Sequence, residues 1–472
     1  MKLSFHGAAQ TVTGSKHLIA LDNGQRILLD CGMFQGLGTR THRLNADFGF
    51  DPATINWVLL SHAHIDHSGL IPKLVKEGFS GKILCTQATF ELSEILLLDS
   101  AQIQENYNDD STQSPLYTTE DVRNALDRFR VIEYNQSIIL SDEISVLFTP
   151  TGHLVGSAAI HLTLKEDGKE TRISYSADVG RSRHPLLQNA SEFPQAEYII
   201  LESTYGDKHH DVQNNNIDTL LKWIRNTCLE KKGQLLIPAF SVGRTQELLF
   251  LLNQLELEKR LPDLNYYVDS PLSLQATTAI KKYTSEFNDR IQEILKIDDD
   301  PFVFKGLKYV ELADDSRRLV DYQEPCVIIS SSGTADAGRV RHHIRALAGD
   351  SKNTILFSGY CGEETVGGAL LAGKKQVELF GNPVTIKAEI AQLNGMSAHG
   401  DSDDLCNFLS CQDPNNLRAV FLVHGERKAQ DFLSARLSRK GFYPVHTPAH
   451  HEEYLLNRAR SVTNQLKLKE TG

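Results

Sequence analysis

The chain has 472 residues, of which 40% are hydrophobic and 23% charged, with a formal net charge of −11. That length exceeds what one hydrophobic core serves, so two domains are the default, and the acidic balance argues against binding duplex nucleic acid through a broad basic face. No apolar run approaches the roughly 20 residues of a membrane helix, and the opening MKLSFHGAAQ lacks the segments of an export signal.

In chain order, short β runs come first: KLSFHG, KHLIALDNGQRILLDCG and NWVLLSHAH, with Asp22-Asn23-Gly24 as a hairpin turn. SGLIPKLVKEG then has helical periodicity and closes at Gly78, KILCT is a strand, and residues 88–107 are helical. The polar stretch NDDSTQSPLYTT reads as a loop or lid, and TEDVRNALDRF as a helix capped by Thr119. Strands return with SVLFTPTGH, SAAIHLTLK, TRISYSADVG and YIILEST. Beyond residue 208 helices and strands alternate (IDTLLKWIRNTCLEK, GQLLIPAF, RTQELLFLLNQLELE, LNYYVDS, CVIISSSG, TILFSGY), the pattern of a parallel sheet covered on both faces. Residues 209–390 are therefore expected to form an α/β domain inserted between 1–208 and 391–472, two parts of another domain. KIDDDP, 296–301, reads as a solvated acidic loop. Seven scattered cysteines without a Cys-x-x-Cys pair suit a reducing cytoplasm, with most thiols buried.

One stretch carries chemistry. SHAHIDHSG, from Ser61, crowds three histidines and an aspartate beyond an apolar strand. In extended backbone alternate side chains face the same way, so His62, His64 and Asp66 would share one side, with His67 opening the next helix. Imidazole and carboxylate converging in this way suit zinc. The plainer alternative is a polar strand-to-helix turn with Asp66 as a cap; four such groups together favour the metal.

SHAHIDHSG resembles the signature of the metallo-β-lactamase superfamily, and Asp30 in LLDCG, His153 in TPTGHLVGS and Asp178 in SYSADVG fit its further motifs. Glu202 in LESTYGD, His399 in SAHGD and His424 in VHGE resemble the three extra motifs of the β-CASP nucleases, a group that includes RNA-processing enzymes. The resemblance implies a metallo-β-lactamase αββα sandwich with an inserted parallel-sheet β-CASP domain. It implies two zinc ions, one held by His62, His64 and His153 and the other by Asp66, His67 and His424, with Asp178 bridging and Asp30 orienting a histidine. His399 and Glu202, together with Asp66, form the implied catalytic set, His399 protonating the leaving oxygen. DNA-acting members resemble one another in carrying valine where this chain has His424, so the implied substrate is single-stranded RNA, cleaved internally or from a 5′ end; a DNA nuclease or another hydrolase on the same scaffold is the alternative. Every implied ligand is present, which argues against a non-catalytic relative.

Two divalent ions lower the pKa of water and neutralise phosphoryl oxygens, but a separate acid is needed for the leaving group. For the substrate, CVIISSSGTADAGRVRHHIRAL (326–347) runs an apolar strand into Ser331, Ser332 and Gly333 before a helix. Such a junction can hold an anion or merely cap the helix. The family resemblance implies that the loop faces the metals and grips a phosphate, with Arg244 at another helix start as a second contact. The cleft between the domains would admit a single strand. The pairs His209-His210, His342-His343 and His450-His451 read as solvated surface. No feature indicates an oligomer.

Overall fold

Val58 and Leu59 are neighbours in one strand, both fully buried, and they serve different cores. Val58 joins Ile71, Leu74 and Ala125 beneath the helices Ile71–Lys76 and Thr119–Leu126. Leu59 joins Ile160 and Ile200 of a second sheet. Because successive side chains point to opposite faces, a strand that is apolar at every position has to be covered on both.

The computed structural model describes residues 1–107, 114–210 and 216–456. The first sheet has seven strands in the order Glu453–Leu455, Lys2–Phe5, His17–Ala20, Arg26–Leu29, Trp57–Leu59, Lys82–Cys85 and Phe129–Val131. The second, also of seven, runs Val445–His446, Ala419–Val423, Tyr198–Glu202, Lys169–Tyr175, Ala158–Glu166, Ile144–Pro150 and Ile138–Ser141. Their facing sides form one core, while Ile199 and Leu201 turn outward to meet Leu405, Leu433 and Leu437 of the helices Ser402–Phe408 and Arg427–Arg439. The result is the helix–sheet–sheet–helix sandwich expected. Lys2–Phe5 pairs with Glu453–Leu455, so segments from the two ends of the chain lie side by side in one sheet.

The insertion is a parallel sheet of six strands ordered Leu307–Tyr309, Asn265–Asp269, Cys326–Ser330, Leu235–Pro238, Thr354–Phe357 and Glu389–Gln392. Its near-continuous apolar strands are explained by two covers. Leu235, Ile237, Val327 and Ile329 face one cluster of helices, and Leu236, Ile328 and Ile355 face another. The strand Glu389–Gln392 crosses the boundary expected after residue 390.

Local expectations differ at three places. The helix Thr119–Leu126 is capped by Thr118, not Thr119, because Asp121 closes a reciprocal box on Thr118. KIDDDP is tied down: Asp298 accepts from Asn253, and Asp300 pairs with Lys281 at 2.5 Å. Part of the stretch read as a loop or lid, 108–113, lies outside the described residues. All seven cysteines are free thiols, six of them buried. Among the described residues no helix is long and apolar enough to cross a membrane.

Candidate metal centre and its cleft

The residues singled out above collect at one edge of the sandwich, because each follows or ends a strand. Asp30 follows Arg26–Leu29, His62 and His64 follow Trp57–Leu59, and Asp178 follows Lys169–Tyr175. Glu202 ends Tyr198–Glu202, and His424 follows Ala419–Val423. Parallel pairing within each set brings these carboxyl-terminal ends level. His153 arrives from the antiparallel strand Ile144–Pro150. The edge stores backbone strain: Asp30 and His424 have φ of 57° and 47°, a region L-residues rarely occupy. Gly32 permits the crossing of two segments, since a Cβ there would lie 1.6 Å from the Asp66 carbonyl oxygen.

Two donor sets result. His62 Nε2 lies 3.1 Å from His64 Nδ1, which lies 3.3 Å from His153 Nε2. Asp178 Oδ2 is 3.5 Å from both His62 Nε2 and His153 Nε2. In the second set His424 Nε2 is 3.3 Å from His67 Nε2 and 3.3 Å from Asp66 Oδ2. Asp178 Oδ1 closes it at 3.3 Å from His67 Nε2. Tetrahedral zinc with ligands at about 2.0–2.1 Å separates its donors by roughly 3.3–3.4 Å. The separations in the first set, and those of His424 from His67 and Asp66, are close to that edge length; Asp178 Oδ1 reaches the second set at His67 Nε2 and at His424 Nδ1, 3.3 Å from each. The buried Asp178 Oδ1 accepts no hydrogen bond, as suits an oxygen reserved for a cation. The donor types and spacings fit metal ions, with Asp178 next to both sets. The extended-chain argument misplaced Asp66: the backbone turns helical at Ile65, which moves Asp66 away from His62 and into the set of His67.

The opposite nitrogens are held in turn. Asp30 accepts from His67 Nδ1 at 2.7 Å and is fixed by Ser61 and the Tyr175 hydroxyl. His62 Nδ1 meets Ser61 Oγ at 3.0 Å, and His424 Nδ1 meets Thr204 Oγ1 at 2.9 Å. Such partners set the tautomer and aim the ligating nitrogen. Burial pushes the imidazoles of His62 and His153 well below their ordinary value, keeping them neutral as a ligand must be. Burial opposes the Asp178 anion, but His424 and His67 outweigh it and hold the carboxyl well below the usual range.

His399 lies beside the metal sets. Its Nδ1 is 3.3 Å from Glu202 Oε1 and 3.9 Å from Asp178 Oδ2. Glu202 is fully buried, and its carboxylate also accepts from the backbone N–H groups of Val179 and Thr204. Burial opposes the imidazolium of His399, but the Glu202 and Asp178 carboxylates prevail and raise it to about 9.

These groups open into a cleft of about 1930 Å³ between the sandwich and the insertion. Ser331, Ser332 and Arg244 line it opposite His64, Asp66, His153 and His424. The details depart from expectation. The helix after the serines begins only at Val340, so its dipole does not reach Ser331, and the Ser332 N–H is already donated to Ala337. Gly333 is not on the cleft wall: a Cβ there would stand 3.0 Å from the ring of Phe240. Arg244 does open the helix Arg244–Leu257, but it is buried and paired with Glu247, which also takes His184 Nε2 at 2.6 Å. That pairing depresses Glu247 to about 2: burial opposes its anion, and Arg244 and His184 overcome it.

Two of the three histidine pairs have one member that is not the solvated surface expected. His343 is buried, with Nε2 2.6 Å from Asp269 Oδ2. His210 Nε2 donates to the His399 carbonyl at 2.8 Å, and His450 lines the cleft while His451 meets His6 at 3.0 Å. His209, His342, His450 and His451 are exposed as expected. Tyr175, Thr204 and His210 were missed because their partners lie far off in sequence; Ser61 sat inside the quoted motif.

Sequence models of three domains match in order: the metallo-β-lactamase superfamily domain over residues 18–203, the Beta-Casp domain over 245–370, and the Zn-dependent metallo-hydrolase RNA specificity domain over 383–448. Ribonuclease TTHA0252 of Thermus thermophilus is 34% identical over 441 residues, covering 93% of this chain and 97% of that protein. The chain belongs to the β-CASP family of the metallo-β-lactamase superfamily. Another β-CASP relative, the RNase J-like protein of Methanocaldococcus jannaschii, is 31% identical over 429 residues, covering 90% of this chain and 92% of its own. Transcription termination factor FttA of the same organism is 29% identical over 457 residues, covering 94% of this chain and 70% of its own. A crystal structure of a protein of unknown function from Enterococcus faecalis V583 shares the fold, with a TM-score of 0.52 at 13% identity, covering 96% of this chain and 99% of that one.

Proposed function

We propose that the chain is a zinc-dependent ribonuclease that hydrolyses phosphodiester bonds of single-stranded RNA in RNA processing or decay. The observation that carries this reading is the pair of donor sets joined through Asp178, with the His399–Glu202 pair alongside. Names of two relatives, a ribonuclease and an RNase J-like protein, support RNA as the substrate.

In this reading His62, His64 and His153 would hold one zinc and Asp66, His67 and His424 the other, with Asp178 available to both. Bound there, the two ions activate water and neutralise the phosphoryl oxygens. The protein's own groups do the rest. Glu202 fixes Nδ1 of His399, which leaves Nε2 to deliver a proton to the departing oxygen. The elevated affinity of His399 for its proton keeps the acid charged at neutral pH. Asp66, with Oδ2 3.3 Å from His424 Nε2 and lining the cleft, would hold the metal and stand next to the reacting phosphate. Ser331 and Ser332 offer hydroxyls to a neighbouring phosphate, with Arg244 behind them and Gly333 giving the loop room against Phe240.

The test uses end-labelled RNA and DNA of one sequence with zinc-loaded protein. RNA is expected to be cut much faster than DNA; equal rates would favour a DNA nuclease. Fragments of intermediate length early in the time course mark internal cleavage, whereas mononucleotide release marks a 5′ exonuclease. Metal analysis is expected to give two zinc ions per chain. A value that stays near one after zinc supplementation overturns the two-metal reading.

A further inference from the structure

Tyr360 stands three residues past the end of the strand Thr354–Phe357, on the inserted domain's side of the cleft, with 47% of its surface exposed. An exposed ring is ordinary; one fixed from the opposite wall is not. Its hydroxyl reaches Glu426 Oε1 at 3.4 Å, beside His424 on the sandwich. Lys208, also on the sandwich, holds its ammonium 5.4 Å from the Tyr360 ring centre and 4.6 Å from that of Tyr205. The Tyr205 ring in turn lies nearly parallel to His399, at 14° and 6.4 Å between centres. A continuous series of flat groups and one cation therefore leads from the proposed acid out along the cleft.

We propose that Tyr360 and Lys208 form a nucleotide subsite on the leaving-group side, where the base attached to the departing oxygen stacks on Tyr360 and Lys208 meets the adjoining phosphate. This deepens the ribonuclease reading and rests on it. The acid has to stand next to the leaving oxygen, so the nucleotide bearing that oxygen emerges along the side of the cleft that His399 occupies. What it meets there is a ring whose orientation is set before binding and a cation already desolvated on one side by aromatic faces. Stacking accepts every base, and a positive charge tracks the backbone. Both suit a single strand whose sequence is not read. The neighbouring Asp207 carboxylate pairs with Lys428 at 3.6 Å, and among the described residues Lys208 has no carboxylate within salt-bridge distance.

The test uses the zinc-loaded full chain and a ten-nucleotide single-stranded RNA carrying 2-aminopurine at successive positions, with His399→Ala to prevent cleavage. One position next to the scissile bond is expected to lose fluorescence on binding, as a stacked 2-aminopurine does. Tyr360→Ala should restore that fluorescence and weaken RNA binding by about 5- to 150-fold, the fold-change equivalent to one stacked base. Tyr360→Phe should recover most of the affinity, and Lys208→Ala should flatten the salt dependence of binding. Unchanged affinity in Tyr360→Ala, with no quenched position in the parent, overturns the subsite while leaving the ribonuclease reading intact if RNA is still cleaved. A parent chain that neither binds nor cleaves RNA overturns both.

Discussion

At the scale of single residues, the reading proposed above separates groups that hold metal from groups that move protons. His399 is close enough to Asp178, Glu202 and His424 to be mistaken for a ligand. Its Nδ1, however, is taken by Glu202, and neither donor set needs it. His399→Ala is therefore expected to lower kcat for RNA cleavage by roughly 10²- to 10⁴-fold with zinc content unchanged. Loss of a zinc in that variant would make His399 a ligand instead. Thr204→Val removes the partner of His424 Nδ1 and should weaken zinc binding by about 10- to 100-fold, read from a chelator competition. What the sequence made legible here was what it keeps local. His62, His64, Asp66 and His67 stand together in one string, and the sequence alone marked them as candidate metal donors that the structure gathers into two groups. His343 and His210 were misread because Asp269 and the His399 carbonyl, which hold them, are encoded far away.

At the scale of elements the decisive device is the strand end. Gly32 lets the segment after Arg26–Leu29 cross the turn that carries Asp66 and His67, where backbone hydrogen bonds join Met33 to Ile65 and Cys31 to His67. Any side chain at position 32 would collide with backbone, not with a pliable side chain. Gly32→Ala is thus expected to cost several kcal/mol of stability, as overpacking against unyielding atoms does at its upper range, about 3 kcal/mol or more. A thermal melt of zinc-loaded protein checks it, and a variant melting within two degrees or so of the parent would show that the crossing can yield. The alternation of apolar strands and helices made the inserted sheet legible. The loop after Ser330 was not, because serines before a helical pattern look alike whether the helix starts at once or only at Val340. Hydrogen bonds within that loop, not periodicity, set its path.

At the scale of the molecule the insertion reaches back to the ligand loop through Glu286. Its carboxylate accepts the Gly156 N–H at 2.8 Å, in the loop that carries His153, and burial lifts it to about 7, only partly offset by that N–H and by Tyr134. The folded chain therefore binds more protons than the unfolded chain between about pH 4.5 and 7. The stability this contributes is full below pH 4.5 and lost as pH rises to 7, a swing of roughly 3 kcal/mol. Glu286→Gln keeps an acceptor for Gly156 and removes the titration. Urea midpoints at pH 5 and pH 7.5 should converge in that variant relative to the parent; an equal drop in both proteins would assign the slope to other groups.

The order of the ligands along the chain also sets a timetable. His62 is made early, yet the second donor set is incomplete until synthesis has passed His424, and Ala419–Val423, which delivers it, pairs with Tyr198–Glu202 across the whole inserted domain. A nascent chain still short of that strand lacks His424, Glu426 and His450 of the cleft lining and, in the reading proposed above, part of the second donor set. On the ribonuclease reading proposed above, chains abandoned on the ribosome before residue 424 would lack hydrolytic activity, because a donor encoded late completes a site begun at His62.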